Sequence, residues 1–231
     1  MRQCRRGEWL YWRIPLDNQE TIILLSGGVN STTLLFDLVR LKLVPVIEAI
    51  VFITDSSVDD LNPAKANAER AGVPFSVWSL GSPSPLIDMS LEFQPDNPME
   101  SMGKKLEFVQ MLLFAGFRAK QRGCERVVTG HLESEVGFGG ELFADTFALV
   151  AEYLELPEGT FEAPYWHKTK ADVFWRAKEL GVLGEATFFT TSCLEGNDEK
   201  KLGSCGFGCG ECAGCIRRLA GWEEYLKGLK K

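Results

Sequence analysis

The 231-residue sequence contains no apolar run near the roughly 20 residues a bilayer-spanning helix needs, and its first stretch, MRQCRRGEWLYWRIPLD, interrupts its apolar residues with Arg13 and Asp17. Neither a membrane span nor a secretory leader is expected, and the cytoplasm is the expected compartment. Positive charge is in deficit. Lys and Arg total 25 against 32 Asp and Glu, a net charge of -7 that argues against an extended nucleic-acid surface. Local pairs such as Arg5-Arg6, Lys104-Lys105 and Arg217-Arg218 could still each meet a phosphate. A small-molecule substrate is favoured. Histidine is scarce, with two residues, and the seven cysteines are too few and too unevenly placed for a disulfide scaffold. Repeats, low-complexity tracts and an obvious interdomain linker are all missing. The remaining composition, 45% hydrophobic and 25% charged, is that of a soluble globular protein able to bury one substantial core, so residues 1–231 are expected to form a single domain.

Along the chain, after a short strand candidate in EWLYWRI, apolar runs alternate with helical periodicity. Strands are expected at Thr21 to Leu25, Val46 to Ile53 and Phe75 to Leu80, with helices at Ser31 to Leu41 and Asn62 to Ala71 between them. That βαβαβ order predicts a parallel sheet in an α/β fold. Four prolines in SPSPLIDMSLEFQPDNPMESMG read as a long loop. A helix from about Lys104 to Arg122, a strand in RVVTGH, a second glycine-rich loop and helices at Leu142 to Leu154 and Thr169 to Leu180 follow, before a cysteine-rich tail.

The first of these strands runs into IILLSGGVNSTTLLFDLV. Gly27 and Gly28 let the main chain approach an anion without a Cβ in the way, while the following helix offers unpaired N–H groups; Ser26, Ser31 and Thr32 add hydroxyls. An ordinary tight strand-to-helix turn would also use Gly-Gly. No Gly-Lys-Ser/Thr follows, which excludes a Walker loop. SGGVNS resembles the Ser-Gly-Gly-x-Asp-Ser signature of the N-type ATP pyrophosphatases, whose loop holds the pyrophosphate released when ATP adenylates a substrate oxygen. The resemblance implies a five-stranded parallel sheet of the adenine nucleotide alpha-hydrolase type, with ATP and Mg²⁺ at the C-terminal ends of its strands. Asn30 is the departure, because relatives carry an aspartate there and magnesium prefers carboxylates. Asn30→Asp is therefore expected to raise the adenylation rate several-fold and to lower the Mg²⁺ requirement; the competing view is a loss, if the site is built around an amide.

The tail, SCLEGNDEKKLGSCGFGCGECAGCIRR, holds five cysteines within 23 residues, with C-x2-C-x2-C at Cys209, Cys212 and Cys215. Three thiolates so spaced wrap one ion, and a fourth, Cys193 or Cys205, would complete a tetrahedral zinc site. Buried inert thiols, a redox group and an iron–sulfur cluster are the other readings.

TSC followed by CGECAGCIRR, together with APYWHKTKADVFWRAKELGV, is similar to the 7-cyano-7-deazaguanine synthases, from Thr21 to about Trp222. That resemblance implies Cys193, Cys209, Cys212 and Cys215 as Zn²⁺ ligands, with Cys205 extra, in a zinc module at 191–222 behind a nucleotide-binding core at 19–190. It also implies the family reaction, in which ATP adenylates the carboxylate of 7-carboxy-7-deazaguanine and ammonia gives first the amide and then the nitrile. A homodimer is common in the family. Ser26, Gly27, Gly28, Val29, Asn30, Ser31, Thr32, Gly130 and Lys104, or Lys105, are the expected nucleotide contacts. Lys170, with Lys168 second, is the expected mobile cation, acting with Asn30 and Ser26 in catalysis. Glu133, Glu135 and Glu141 are candidates for reading a guanine-like edge, and His131 for a structural or catalytic role. Relatives have Tyr-Gly-Gln where this chain has ITDSSVDD, Pro-x-Arg-Asn where it has MGKKL, and Tyr-Pro-Asp-Cys-Arg where it has FGGELFAD. ITDSS is also similar to sulfate-activating reductases of the same superfold, which lack this tail. The substitutions keep two alternatives open: a relative that stops at the amide or uses another acceptor, and a non-catalytic nucleotide-binding zinc protein.

Overall fold

A computed structural model describes residues 20–40, 45–53, 61–80, 98–135, 140–193 and 200–230, with 98–105 as backbone only. EWLYWRI and most of ITDSSVDD lie outside these residues, as does the side chain of Lys104.

Strand β1 (Thr21–Leu24) is buried along its whole length. Its alternation separates two cores: Ile23 and Leu25 pack on one side, Ile22 and Leu24 on the other. It pairs in parallel with β2 (Val46–Ile53) and with β4 (Arg126–Thr129), and the five-stranded sheet has the order β3-β2-β1-β4-β5, with β3 at Phe75–Ser79 and β5 at Phe161–Glu162. All four pairings are parallel, as the α/β reading requires. The order reverses between β1 and β4, so loops leaving their C-terminal ends part to opposite faces and open a crevice.

One face carries α1 (Val29–Arg40), α2 (Leu61–Ala71), α5 (Lys170–Glu179), α6 (Leu183–Phe188) and α7 (Ala213–Gly228). The other carries α3 (Pro98–Arg122) and α4 (Gly140–Tyr153). Helix α3 presents Phe108, Leu112, Ala115 and Ala119 to its core, a spacing of four, three and four residues that keeps one stripe inward. It starts six residues before the expected Lys104, correcting the loop assignment for 98–103; Pro98 is its first residue, where a fixed φ and a missing N–H cost nothing.

A buried ionic clasp joins the two halves of the chain. Arg176 on α5 donates to both carboxylate oxygens of Asp37 on α1, at 2.9 and 2.7 Å, and the Tyr165 hydroxyl donates to Asp37 at 2.9 Å. Burial and the adjacent Asp37 carboxylate push the Tyr165 phenol well above its ordinary value, which keeps it a donor. Helix α5 is thereby locked against α1, and a capping box between Thr169 and Asp172 fixes its first residue, Lys170.

Candidate functional site

A cleft of ≈ 310 Å³ opens at the C-terminal ends of β1 and β4. Its floor is the turn from β1 into α1. Ser31 Oγ accepts from the Ser26 N–H at 3.2 Å and Thr191 N–H donates to Gly27 O at 3.1 Å, so the turn is tied both to itself and to the chain leading into the tail. Gly27 has φ 74°, the left-handed conformation a side chain disfavours. At Gly130, which follows β4, an added Cβ would lie 2.7 Å from the Ser31 backbone nitrogen, so the two loops meet only because this residue has no side chain.

Ser26, Gly28, Val29, Asn30, Ser31, Gly130, His131, Glu135 and Lys170 all line the cleft. Thr32 does not face it: its N–H closes a helical bond to Gly28 O at 3.1 Å and its hydroxyl accepts from Asn67. The first-turn donors available to an anion are therefore those before residue 32.

Three polar residues form a compact network against this floor. Lys170 Nζ lies 2.6 Å from Glu135 Oε1 and donates to Asn30 Oδ1 at 2.8 Å, while Asn30 Nδ2 donates to Glu135 Oε2 at 2.6 Å. Both ends of the Asn30 amide are engaged. An aspartate at position 30 would set a second carboxylate against Glu135, so the geometry argues against the expected gain from Asn30→Asp and for the competing view of a site built around an amide. Burial pushes the Lys170 ammonium below its ordinary pKa, and Glu135 pulls it back up.

The other acidic candidates lie elsewhere. Glu133 is exposed and pairs with His167 at 3.2 Å. Glu141 is exposed in the first turn of α4, because the helix expected from Leu142 begins at Gly140. Lys168 is exposed outside the cleft. His131 packs edge-on to Phe108, with ring centroids 5.1 Å apart, and bonds to Thr129 Oγ1. Burial pulls its pKa down to about 4, leaving a neutral ring near pH 7. Leu24, Ile50, Phe52 and Met111 give the cleft an apolar wall, and Thr191 and Ser192 a hydroxyl-bearing one. None of these six is among the expected site residues, although Thr191 and Ser192 belong to the TSC stretch that carries the resemblance.

Beyond Ser192 the chain enters a thiol cluster. The Sγ atoms of Cys193, Cys209, Cys212 and Cys215 lie within 4.8 Å of one another. Zinc–sulfur bonds of about 2.3 Å in a tetrahedron place sulfurs roughly 3.8 Å apart; Cys209 and Cys215 stand at 3.9 Å. Cys212 is the N-cap of α7, and its sulfur accepts from Cys215 N–H. Cys209 Sγ accepts from the N–H groups of Glu211 and Cys212 at 3.4 and 3.2 Å. Burial pushes the Cys215 thiol up to about 12, so a cation is needed for the thiolate form at neutral pH. The cluster can hold a metal ion. Cys205 is apart from it, fully buried and donating its S–H to Leu202 O at 2.9 Å. Arg218 secures the module from inside, donating to the carbonyls of Cys205, Thr187 and Thr190.

A family model for the queuosine biosynthesis protein QueC matches residues 20–226. The chain belongs to the QueC family. A 7-cyano-7-deazaguanine synthase of Bacteroides fragilis is 29% identical over 229 residues, covering 91% of this chain and 98% of that protein. Its counterpart in Bacillus subtilis is 29% identical over 227 residues, covering 91% and 97%. Among solved structures, a 4-thiouridine synthetase in complex with RNA and with bound ATP shares the fold at a TM-score of 0.51 and 17% identity, over 73% of this chain and 42% of that one. The QueC match thus spans the cleft and the thiol cluster together. No helix among the described residues is long and apolar enough to cross a membrane.

Proposed function

We propose that this QueC-family chain is an ATP-dependent ligase that converts 7-carboxy-7-deazaguanine and ammonia to 7-cyano-7-deazaguanine. The observation that carries the reading is the family match over residues 20–226, on a chain whose sheet reversal opens onto a helix N-terminus free of side chains at Gly28 and Gly130. In the first half-reaction a carboxylate oxygen attacks the α-phosphorus and pyrophosphate leaves. Ammonia then adds to the acyl carbon and AMP departs with the oxygen. A second activation, now of the amide oxygen, lets a further AMP leave as the nitrile forms.

The chain's own groups suit this work. N–H groups of residues 28–31 cradle the phosphates. Lys170, paired to Glu135 before the nucleotide arrives, is the cation that turns to the phosphate charge. A polyphosphate beside Glu135 needs positive charge, and Glu135 is the carboxylate that would hold Mg²⁺, which would supply charge neutralisation at the leaving pyrophosphate. The apolar wall from Leu24, Ile50, Phe52 and Met111 excludes water from the activated acid. Cys193, Cys209, Cys212 and Cys215 would hold Zn²⁺, which would secure the module at 191–222 to the core at 19–190. The cytoplasm is the compartment, and two copies pair as in the family.

The test is a single reaction containing the protein, ATP, Mg²⁺, carboxy-deazaguanine and ammonia. AMP and pyrophosphate should appear, with two ATP consumed per nitrile. No AMP with any of these components would refute the reading and leave a nucleotide-binding protein without turnover. The helical start at Gly140, in place of the relatives' substrate loop, favours one second reading, in which the adenylate is passed to another acceptor or the reaction stops at the amide. Product mass distinguishes the two.

A further inference from the structure

Adjacent arginines in the first turns of α7 have opposite environments. Arg218 is fully buried and committed to backbone carbonyls, so it cannot meet a ligand. Arg217 is exposed and lines the cleft with Ser192, Gly214 and Lys170. Gly214, Arg217 and Gly221 follow at i, i+3 and i+7, which puts them on one side of the helix. At Gly221 an added Cβ would lie 2.4 Å from Lys170 Cγ, so this side of α7 is the one that faces Lys170. The Arg217 charge is felt at the Lys170 ammonium.

The two cations differ in how far their charge is already matched. Lys170 is held by Glu135 and Asn30, whereas Arg217 has no hydrogen bond or ion pair among the described residues. Its helix is nevertheless rigidly placed, with Cys212 at its N-cap and Arg218 bonded beneath it. An unmatched guanidinium on a well-anchored helix, opening onto a cleft with a helix N-terminus on its floor, is suited to an oxyanion chain. We propose that Arg217 binds the phosphate groups of the nucleotide, as a second cation beside Lys170. This rests on the cleft being the nucleotide site and is independent of which acid is activated there.

Calorimetry on the full metal-bearing chain tests it, with Mg²⁺–ATP, inorganic pyrophosphate and adenosine as separate probes and no deazaguanine present. Arg217→Met keeps much of the stem and removes the charge; ATP and pyrophosphate should each bind about tenfold more weakly or worse, while adenosine binds as before. Arg217→Lys should recover part of the loss but not all, since an ammonium lacks the guanidinium's planar fork. Unchanged pyrophosphate affinity in Arg217→Met, with an unchanged melting temperature, overturns the inference. Equal weakening towards adenosine also overturns it, because the arginine would then be shaping the cleft. An Arg217-dependent pyrophosphate affinity together with no AMP release by the wild-type chain from carboxy-deazaguanine refutes the proposed reaction and keeps this inference. A wild-type chain that binds neither ATP nor pyrophosphate refutes both.

Discussion

Three of the four clustered thiols, Cys209, Cys212 and Cys215, come from one seven-residue stretch, whereas the neighbouring cleft draws Ser31, Glu135, Lys170 and Ser192 from four separate stretches of the chain. The first arrangement closes short loops around a point, the kind of site that a bound ion stabilises. The second is positioned by the sheet, by Gly130 against Ser31 and by the Asp37–Arg176–Tyr165 clasp. The comparison teaches that damage should separate: lesions in the turn cost folding, and lesions in the cleft cost binding or turnover.

The largest effect is expected for Cys212→Ala, which removes a ligand and the α7 cap together. Structural zinc contributes apparent folding free energies of about 10 to 16 kcal/mol in small zinc-finger peptides, so this chain should lose its metal and most of its soluble yield. Elemental analysis and expression level check it; a metal-free Cys212→Ala protein that melts like wild type would dissolve the contrast.

Next comes Gly130→Ala against Gly28→Ala. The methyl at 130 would meet Ser31 backbone at 2.7 Å, whereas at 28 its nearest contact is Thr191 O at 3.3 Å. ATP affinity should fall below detection in the first and by about tenfold or less in the second, with metal content intact in both. Calorimetry that ranks them the other way would move the cradle away from the meeting of the two loops.

Asn30→Asp is expected to slow pyrophosphate release about 10- to 100-fold, the equivalent of losing one hydrogen bond to a charged group at roughly 1.5 to 3 kcal/mol. Combining it with Glu135→Gln, which exchanges the amide and the carboxylate, should recover most of the rate. A Mg²⁺ titration in which Asn30→Asp alone exceeds wild type would show that position 30 welcomes the charge.

A smaller effect belongs to pH. His131 titrates near 4 in the folded chain and near 6.5 unfolded. The unfolded state therefore binds more protons between these values, and stability is full above pH 6.5 and declines as pH falls towards 4, by on the order of 3 kcal/mol. His131→Gln should flatten this part of the curve in urea melts. The smallest effect is expected for Cys205→Ser, which keeps its metal because that thiol stands outside the cluster; loss of the ion would make it a ligand.

The parts legible in the sequence are those whose signal is local. Ser26 to Ser31 declared itself by two glycines between an apolar strand and a helix, and the thiol turn by its spacing. The parallel order followed from alternation of strand and helix. What stayed hidden has specific causes. Strand β5 is two residues long and exists only by pairing with β4. Helix α7 buries Gly214, Cys215, Arg218, Gly221 and Tyr225, a face with little apolar periodicity to read. The start of α3 was masked by prolines that also suit a helix's first position. In the cleft, Glu135 could not be told from Glu133 by sequence, since both follow β4 by a few residues; only the three-dimensional approach of Lys170 and Asn30 separates them. The Asp37 clasp spans 139 residues between α1 and α5 and left no local trace.

Cys193 belongs to both regions, lining the cleft while its sulfur sits in the cluster, and Thr191 two residues earlier is bonded to Gly27. If a metal on the thiols and a nucleotide in the cleft both tighten these three residues, their binding is thermodynamically linked, and linkage is reciprocal: the factor by which the metal raises nucleotide affinity is the factor by which the nucleotide raises metal affinity. A chelator added to this protein would therefore be opposed by ATP in proportion to that factor, and in a rate assay the chelator would mimic a competitor for the nucleotide without ever entering its site.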